Sequence, residues 1–453
     1  MMLNLNQLKK LYVNSPMWMK KLYASIPYDI RNGSEYRKWK VFLQENTNKE
    51  EYTLFKIKET VLYAYESTKY YNTEWKKLGI SPYDINSIKD FESLPFISKD
   101  IVRDNFSDFM AQKYPKNKTF YVTTGGSSGD PMKYLQSNNV WIKELAFGMN
   151  YFSQYGYKPS MLKASFRGGE FIDLKKGRYW KYNPIHNEVH FSPFHINKNT
   201  VFQYAKDLNK LKPKFFHTYP SSLLLLIEQM KAQNLKLEYD VEAVFLISEN
   251  FSNEDVKIIQ DFLQCKVSSF YGHSERLIFA PSYDVLSSYR PDFRYGYLEL
   301  IDNNNDVVVN NHIKGEIVGT SFDNFAMPLI RYKTEDFTSY IDKDKDLISL
   351  IDGRWTKEYL LGKDGFKLYL TALNMHLDIF KNVLAFQYHQ TEIAKVVLWL
   401  VVNKNFNKFE KDAIVKALHN KAGHAIQFET KIVNQLELTK RGKLKNVIRT
   451  IHA

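Results

Sequence analysis

Lys214–Ser248 reads KFFHTYPSSLLLLIEQMKAQNLKLEYDVEAVFLIS. Its two short runs, KFFHTY and AVFLIS, are rich in aromatic and branched apolar residues and have strand character. Between them, SSLLLLIEQMKAQ is long enough for a helix. Upstream, MLKASF (161–166) reads as another strand, while Phe202, Ala205, Leu208 and Leu211 recur at helical spacing. Strands alternating with helices from about Leu162 to Phe270 predict an α/β layered domain.

Further out the pattern changes. EEYTLFKIKETVLYAYES (50–67) sets Leu54, Ile57, Val61 and Tyr65 on one helical face, the expected core face of a helical N-terminal third. In LELIDNNNDVVV (298–309) the NNND cluster separates two apolar runs expected to pair as a hairpin. Near the end, AKVVLWLVV reads as a strand, FEKDAIVKALHNKA as a helix and AIQFETKIV as a strand, followed by a basic tail. That is the signature of a small separate α+β unit.

The chain has 453 residues, enough for two or three domains. Its one cysteine, Cys265, excludes a disulfide framework and a multi-cysteine zinc site, and it fits a reducing compartment. The longest apolar runs, such as VVLWLVV (396–402), are far too short to span a bilayer, and no signal peptide is read at the start, so a cytoplasmic protein is expected. The net charge is +13, but the lysines are scattered and no nucleic-acid-binding motif accompanies them. No nucleic-acid partner is expected; a basic surface drawn to anionic substrates or anionic membrane is.

Two local features leave alternatives open. MMLNLNQLKKLYVNSPMWMKKLYASIP (1–27) interleaves Leu3, Leu5, Leu8, Leu11, Met17, Trp18 and Met19 with Lys9, Lys10, Lys20 and Lys21. It reads either as a helix packed on the protein's own core with lysines snorkelling outward, or as a weak peripheral attachment to an anionic membrane. In IHNEVHFSPFHI (185–196), His186, His190 and His195 are broken from helical spacing by proline and aromatic residues and lack any cysteine. Pocket or surface histidines are expected there rather than zinc ligands.

YVTTGGSSGDPMKY (121–134) crowds glycines and small hydroxyl residues into one turn, between a β-rich stretch and an expected helix. It fits neither the lysine-bearing P-loop nor the dinucleotide fingerprint. Glycines still let consecutive backbone N–H groups converge on an anion. Alone, the stretch is equally a Gly/Ser-rich surface loop.

This loop resembles the phosphate loop of the adenylate-forming enzymes (acyl- and aryl-CoA synthetases and relatives), roughly T-S-G-T-T-G-K-P. Thr124, Gly125, Gly126, Ser127, Ser128, Gly129, Asp130 and Pro131 take those positions, with Gly125 replacing a hydroxyl residue and Asp130 replacing the lysine. Four later stretches resemble family motifs in the family's order. SFYGHSE (269–275) is similar to Y-G-x-T-E, which implies that Tyr271 flanks adenine, Ser274 meets phosphate and Glu275 binds magnesium. IRYKTED (330–336) is similar to Y-R-T-G-D, which implies that Asp336 accepts the ribose hydroxyls; Glu335 stands where glycine is usual. IDGRW (351–355) resembles the hinge segment, with Arg354 reaching ribose or phosphate and Lys357 where the hinge aspartate is expected. LTKRGKLK (438–445) resembles the terminal T-x-x-G-K motif through Thr439, Gly442 and Lys443.

KPKFFHTYPSSLLLLI, DGRWTKEYLLGKDGFKLYLTALNMH and FQYHQ are similar to the phenylacetate–CoA ligase-like branch, in particular to the CapK-like proteins associated with capsule and O-antigen synthesis. The resemblance implies an α/β fold with a large N-terminal adenylate-forming domain of layered mixed sheets and helices, residues 1–355, and a small mobile C-terminal α+β domain, residues 356–453. ATP contacts are implied for Thr124, Gly126, Ser127, Ser128, Gly129, Ser248, Glu249, Phe270, Tyr271, Gly272, Asp336 and Arg354. Lys443, Ser274 and Glu275 are the implied catalytic residues, with Mg2+ on Glu275, and His217, Tyr219 and His273 the implied substrate contacts. The implied reaction joins a carboxylic acid to AMP with release of pyrophosphate, then transfers the acyl group to coenzyme A, another thiol or an amine. The alternatives are adenylyl transfer to a non-acyl substrate and a non-catalytic nucleotide-binding protein.

Overall fold

The computed structural model describes residues 11–12, 15–123, 132–167, 177–249, 251–351, 359–373, 377–423, 425–437 and 446–451. The glycine-rich loop from Thr124 to Pro131, Arg354 and Lys443 lie outside the described residues. Two compact units result: Met1–Val122 with Met132–Pro159 and Ser268–Gly353, and Thr123–Pro131 with Ser160–Val267 and Arg354–Ala453. The protein is a mixed α/β chain with large multi-stranded sheets and helices.

The first unit opens with helices. Asn48 caps Lys49–Ser67 by accepting a hydrogen bond from the Glu51 amide, satisfying one donor of its free first turn. Ile57 and Val61 on this helix are fully buried, as the apolar spacing predicts, and Ala64 joins them, while Leu54 and Tyr65 are half-buried. Each large apolar side chain so buried contributes about 1.5–3 kcal/mol. The same face also buries Lys56, whose ammonium donates to Asp323 at 2.6 Å. Lys143 is buried against the other oxygen of Asp323 at 2.6 Å. These two lysines outweigh the burial that opposes ionisation and hold the Asp323 carboxyl below its usual range.

The unit's sheet runs, in spatial order, Gly296–Ile301, Lys314–Ser321, Tyr332–Asp342, Leu347–Ser349, Ser288–Tyr289, Phe279–Asp284 and Lys266–Gly272, with antiparallel neighbours throughout. The hairpin expected from LELIDNNNDVVV forms only a single bridge, Ile301 to Val307. Gly296–Ile301 pairs instead with Lys314–Ser321, the longer partner that covers its whole length. Beneath this sheet Arg331 is buried against Glu299: Nε donates to both carboxylate oxygens at 3.1 Å, the guanidinium also reaches the Leu94 carbonyl, and its face covers Phe96 at 3.9 Å. A strand, Lys133–Ser137, intervenes between the glycine-rich stretch and the helix Asn138–Ser153, pairing with Thr119–Thr123.

Near the N-terminus, helix Met17–Ala24 buries none of its residues, and Met17, Trp18, Met19 and Leu22 are exposed. The reading of this segment as packed on the protein's own core does not hold for these residues. No helix among the described residues is long and apolar enough to cross a membrane.

The second unit contains the strand–helix–strand pattern. Its sheet orders Ala243–Leu246, Phe215–Thr218, Lys163–Phe166, Glu188–Phe191 and Trp180–Asn183, parallel except for the last pair. The first three of these strands are buried along their whole length; Ala243–Leu246 is accordingly apolar throughout, whereas Lys163–Phe166 alternates buried Lys163 and Ser165 with Ala164 and Phe166. Helix Val201–Leu211 turns Val201, Tyr204, Ala205 and Leu208 inward and leaves Phe202 61% exposed. The expected face was therefore one position out of phase at Phe202, because Tyr204 takes the inward place and donates its hydroxyl to the Ser192 carbonyl.

A second sheet in this unit orders Gln427–Ile432, Lys395–Val402, Val383–Glu392 and Val447–Arg449, backed by helix Lys408–Ala422 with a capping box between Asn407 and Glu410. The end of the chain is thus no solvated tail, since Val447–Arg449 adds a parallel strand beside Tyr388–Gln390. Two neighbouring residues hold both sides of the stretch 438–445. Gln387 exchanges hydrogen bonds with the Glu437 backbone at 2.9 and 3.0 Å, and the Tyr388 amide donates to the Asn446 carbonyl at 2.8 Å.

Candidate active site

In the first unit, Lys266–Gly272 brings SFYGHSE to the end of a strand, and Tyr332–Asp342 brings the TED segment into the same sheet. Tyr271 and Asp336, 65 residues apart, meet there: the Tyr271 hydroxyl donates to Asp336 Oδ2 at 2.9 Å. Burial, then the negative charge of Asp336, pushes the Tyr271 phenol well above its usual range, so it stays a donor. Asp336 is itself oriented by its amide, which donates to Thr334 Oγ1 at 3.2 Å.

The preceding residue explains how this turn forms without glycine. Glu335 adopts φ +62°, the left-handed region that favours glycine, and its amide donates to Glu316 Oε1 at 2.9 Å where the strand register shifts. The backbone shape is kept; the glycine is not required.

Glu275 lies beyond the strand end. Its Oε1 accepts from Tyr134 at 3.2 Å, and Tyr134 also meets the Tyr332 hydroxyl at 2.8 Å. A carboxylate only accepts, so the Tyr134 proton goes to Glu275 and Tyr332 donates to Tyr134. His273 Nδ1 lies 3.6 Å from Glu275 Oε2, and burial lowers the imidazole pKa to about 4, leaving it neutral near pH 7. Ser274 is fixed through its main chain: Gln136 Nε2 donates to the Ser274 carbonyl at 2.6 Å, and Arg276 Nε donates to Gln136 Oε1 at 3.2 Å. Arg276 is braced in turn by Glu144 at 2.9 Å.

Tyr134, Gln136 and Arg276 are the supports that sequence reasoning missed. The signal was present in KYLQS, where Tyr134 and Gln136 share one face of a strand and are buried polar residues. Half-buried Phe270 packs against Tyr151 and Phe279, and Gly272 has room for an added Cβ at ordinary contact distance.

The remaining expected residues lie in the second unit or outside the described residues. Ser248 follows Ala243–Leu246 with φ +61°, and Glu249 accepts from the Ser221 amide at 3.0 Å, in the first turn of helix Pro220–Ala232. His217 is buried within Phe215–Thr218, and burial followed by the charges of Arg167 and Lys163 holds its pKa well below the usual value. Tyr219 packs against the apolar core of the C-terminal sheet. Of the three histidines in IHNEVHFSPFHI, His190 bonds Ser165 and Glu188, and His195 bonds Ser192.

A metal held by three protein side chains does not occur among the described residues. A single braced carboxylate such as Glu275 instead suits Mg2+, which is commonly held by one or two carboxylates together with substrate phosphates and water.

A family model, the CapK C-terminal domain, matches residues 360–450. The chain is 25% identical to Protein CapK of Staphylococcus aureus over 98% of its own length and 100% of that protein's. It is 23% identical to the phenylacetate-coenzyme A ligase of Pseudomonas putida over 64% of this chain and 66% of the ligase. Among solved structures, 2-hydroxyisobutyryl-CoA ligase in complex with 2-HIB-AMP and CoA aligns over 90% of each chain, with TM-score 0.55 and 16% identity. The chain is a homologue of CapK and of the phenylacetate-coenzyme A ligases, carries a CapK C-terminal domain, and has the fold of the adenylate-forming ligases.

Proposed function

We propose that the protein uses ATP to convert a carboxylic acid into an acyl adenylate, releases pyrophosphate, and passes the acyl group to an acceptor thiol or amine. The observation that carries this reading is the Tyr271–Asp336 pair in one sheet with the Tyr134-braced Glu275, two carboxylates that both act on the Tyr271 phenol. Asp336 offers paired oxygens to a ribose diol, with Tyr271 fixing their orientation. Glu275 would hold Mg2+, which when bound offsets negative charge on phosphate oxygens. Tyr134 keeps the Glu275 carboxylate turned, and Gln136 fixes the main chain at Ser274 for a phosphate contact. The glycine-rich residues Thr124, Gly126, Ser127, Ser128 and Gly129 are assigned to phosphate through backbone amides and hydroxyls, and Arg354 to the ribose or phosphate.

The chemical step needs the acid's oxygen to attack the α-phosphorus while negative charge gathers on the phosphoryl oxygens. Lys443 is assigned to that charge, where a positioned ammonium stabilises the transition state more than the ground state. We assign residues 356–453 to a small domain carrying this lysine and residues 1–355 to the nucleotide and acyl domain; the match of the CapK C-terminal domain to residues 360–450 supports the division. Coenzyme A is the first acceptor to test, because the Pseudomonas putida relative and the solved structural neighbour named above are coenzyme A ligases. The name of the relative CapK points to surface polysaccharide synthesis as the setting; we assign that role to the cytoplasm and take an amine as the second acceptor to test. Loose attachment to an anionic membrane through residues 1–27 belongs to the same reading, supported by exposed Trp18 and Leu22 beside Lys20 and Lys21.

Pyrophosphate exchange with ATP, Mg2+ and a panel of carboxylic acids, with and without coenzyme A, tests the function. Acid-dependent exchange and a mass-identified acyl product are expected. Tight ATP binding with no exchange for any acid would leave a non-catalytic nucleotide-binding protein. Sedimentation with anionic liposomes at low salt, lost at high salt and on removal of residues 1–27, tests the attachment.

A further inference from the structure

The second unit holds a cluster of ionisable side chains that the nucleotide chemistry does not use. In its parallel sheet, Ser165 stands opposite both His190 and His217, and Lys163 stands opposite Glu188. Residues two apart share a face of a strand, so these side chains form one polar row that starts at Lys163 and Glu188, the first residues of their strands, and ends at Arg167, just past the carboxyl end of Lys163–Phe166. In α/β sheets the carboxyl edge, which the Arg167 end of the row reaches, is where ligands bind.

The bonding within the row is directional. The Glu188 side chain, 2% exposed, receives Arg167 Nη2 at 3.0 Å and His190 Nε2 at 3.0 Å, with Lys163 Nζ at 3.9 Å. Ser165 Oγ meets the other nitrogen of His190 at 2.7 Å. Burial opposes the charge on Glu188, yet Arg167 and Lys163 outweigh it and hold its carboxyl well below the usual range. Two basic side chains thus face one carboxylate. Arg167 and His190 remain 29% and 31% exposed, so the row opens outward at these two residues. Moreover, Arg167 Nε is shielded from solvent and has no hydrogen-bond partner among the described residues. A shielded guanidinium donor without an acceptor is costly, and an oxyanion is the group that satisfies a guanidinium edge.

We propose that this row is an oxyanion-binding subsite, in which Arg167, with Ser165, His190 and His217 beside it, receives a carboxylate or phosphoryl group of a ligand. Glu188 stands behind the guanidinium and pairs with it, and Lys163 lies against the same carboxylate. Resting on the ligase reading, the subsite defines the substrate class as a carboxylic acid bearing a second anionic group. The binding claim itself does not depend on that reading.

Calorimetric titration of the full chain with glutarate, butyramide and inorganic phosphate tests it. Glutarate or phosphate is expected to bind at least 10-fold more tightly than neutral butyramide, the scale of one charge-assisted hydrogen bond. Arg167→Gln should weaken that oxyanion about 10–100-fold, by the same scale. Glu188→Gln should tighten it, because the competing carboxylate is gone; a purely structural ion pair predicts no tightening. If Arg167→Gln fails to fold, Glu188→Gln decides alone. Oxyanion affinities no better than butyramide, or unmoved by these variants, overturn the subsite. Pyrophosphate release separates the sources. A higher KM of Arg167→Gln for glutarate, with kcat and the KM for butyrate unchanged, assigns the oxyanion to the acid. Phosphate binding that responds to the variants without preference for glutarate assigns it to a phosphoryl group. Oxyanion binding that responds to both variants in a protein releasing no pyrophosphate with any acid overturns the ligase reading and keeps the subsite.

Discussion

Replacing Asp336 isolates the ribose contact. Asp336 Oδ2 accepts one hydrogen bond from Tyr271 at 2.9 Å, and an ionised carboxylate has about four acceptor sites, so both ribose hydroxyls can be received as well. Hydrogen bonds to a charged acceptor contribute about 1.5–3 kcal/mol each, and the second on one carboxylate adds less than the first. The pair is therefore worth about 2–4 kcal/mol, or about 30–1000-fold in ATP affinity. Calorimetry with ATP and with 2′,3′-dideoxy-ATP closes a cycle. Wild type should lose about this factor on removal of the hydroxyls, and Asp336→Ala should lose it with ATP but show no further loss with the dideoxy nucleotide. Asp336→Asn, which keeps one acceptor oxygen beside Tyr271, should fall between them. An Asp336→Ala variant that still discriminates ATP from dideoxy-ATP by the wild-type factor refutes the assignment, whatever its absolute affinity.

Lys443→Ala should leave ATP affinity nearly intact and slow adenylate formation about 100-fold or more, the scale of one lost transition-state donor; a near-normal rate in the half-reaction removes Lys443 from the chemistry. Arg331→Met strands the buried Glu299 carboxylate and should cost about 3–5 kcal/mol of stability, whereas Arg331→Met with Glu299→Leu should recover most of it. Calorimetric unfolding checks this, and a double variant as unstable as the single one contradicts it. His273 has its pKa lowered by burial to about 4, so between pH 6.5 and 4 the unfolded chain binds a proton that the folded chain does not. Stability should fall as pH drops through that window, by about 2 kcal/mol at pH 5, and His273→Asn should flatten this part of the profile.

The parallel sheet was legible because strands such as AVFL are buried on both faces and show continuous apolar runs. Phase within a helix was less legible: Val201 and Phe202 are adjacent apolar residues, and the face that turns inward is the one Val201 shares with Tyr204, whose hydroxyl reaches the Ser192 carbonyl. The apolar run VVV after NNND carried strand propensity, but pairing went to Lys314–Ser321, a choice made by tertiary register. Lysines 56 and 143 could not be read as buried, because their partner Asp323 lies far along the chain. At the site, the motif residues Tyr271 and Asp336 could be named from sequence, while Ser165 opposite His190 exists only through sheet register.

Glu437 and Asn446 are anchored on consecutive residues of one strand, and in the sequence Lys443 lies six positions after the first and three before the second. It stands three positions before Asn446, so chain geometry alone confines its Cα to within about 10 Å of that anchor and its ammonium to within about 16 Å. One ammonium in a sphere of the larger radius corresponds to an effective concentration of roughly a tenth molar. Small alkylamines should therefore restore activity to Lys443→Ala only near such concentrations. Chain cleavage between Lys443 and Asn446 should hurt more than cleavage between Glu437 and Lys443, since it severs the shorter connection and leaves the longer one.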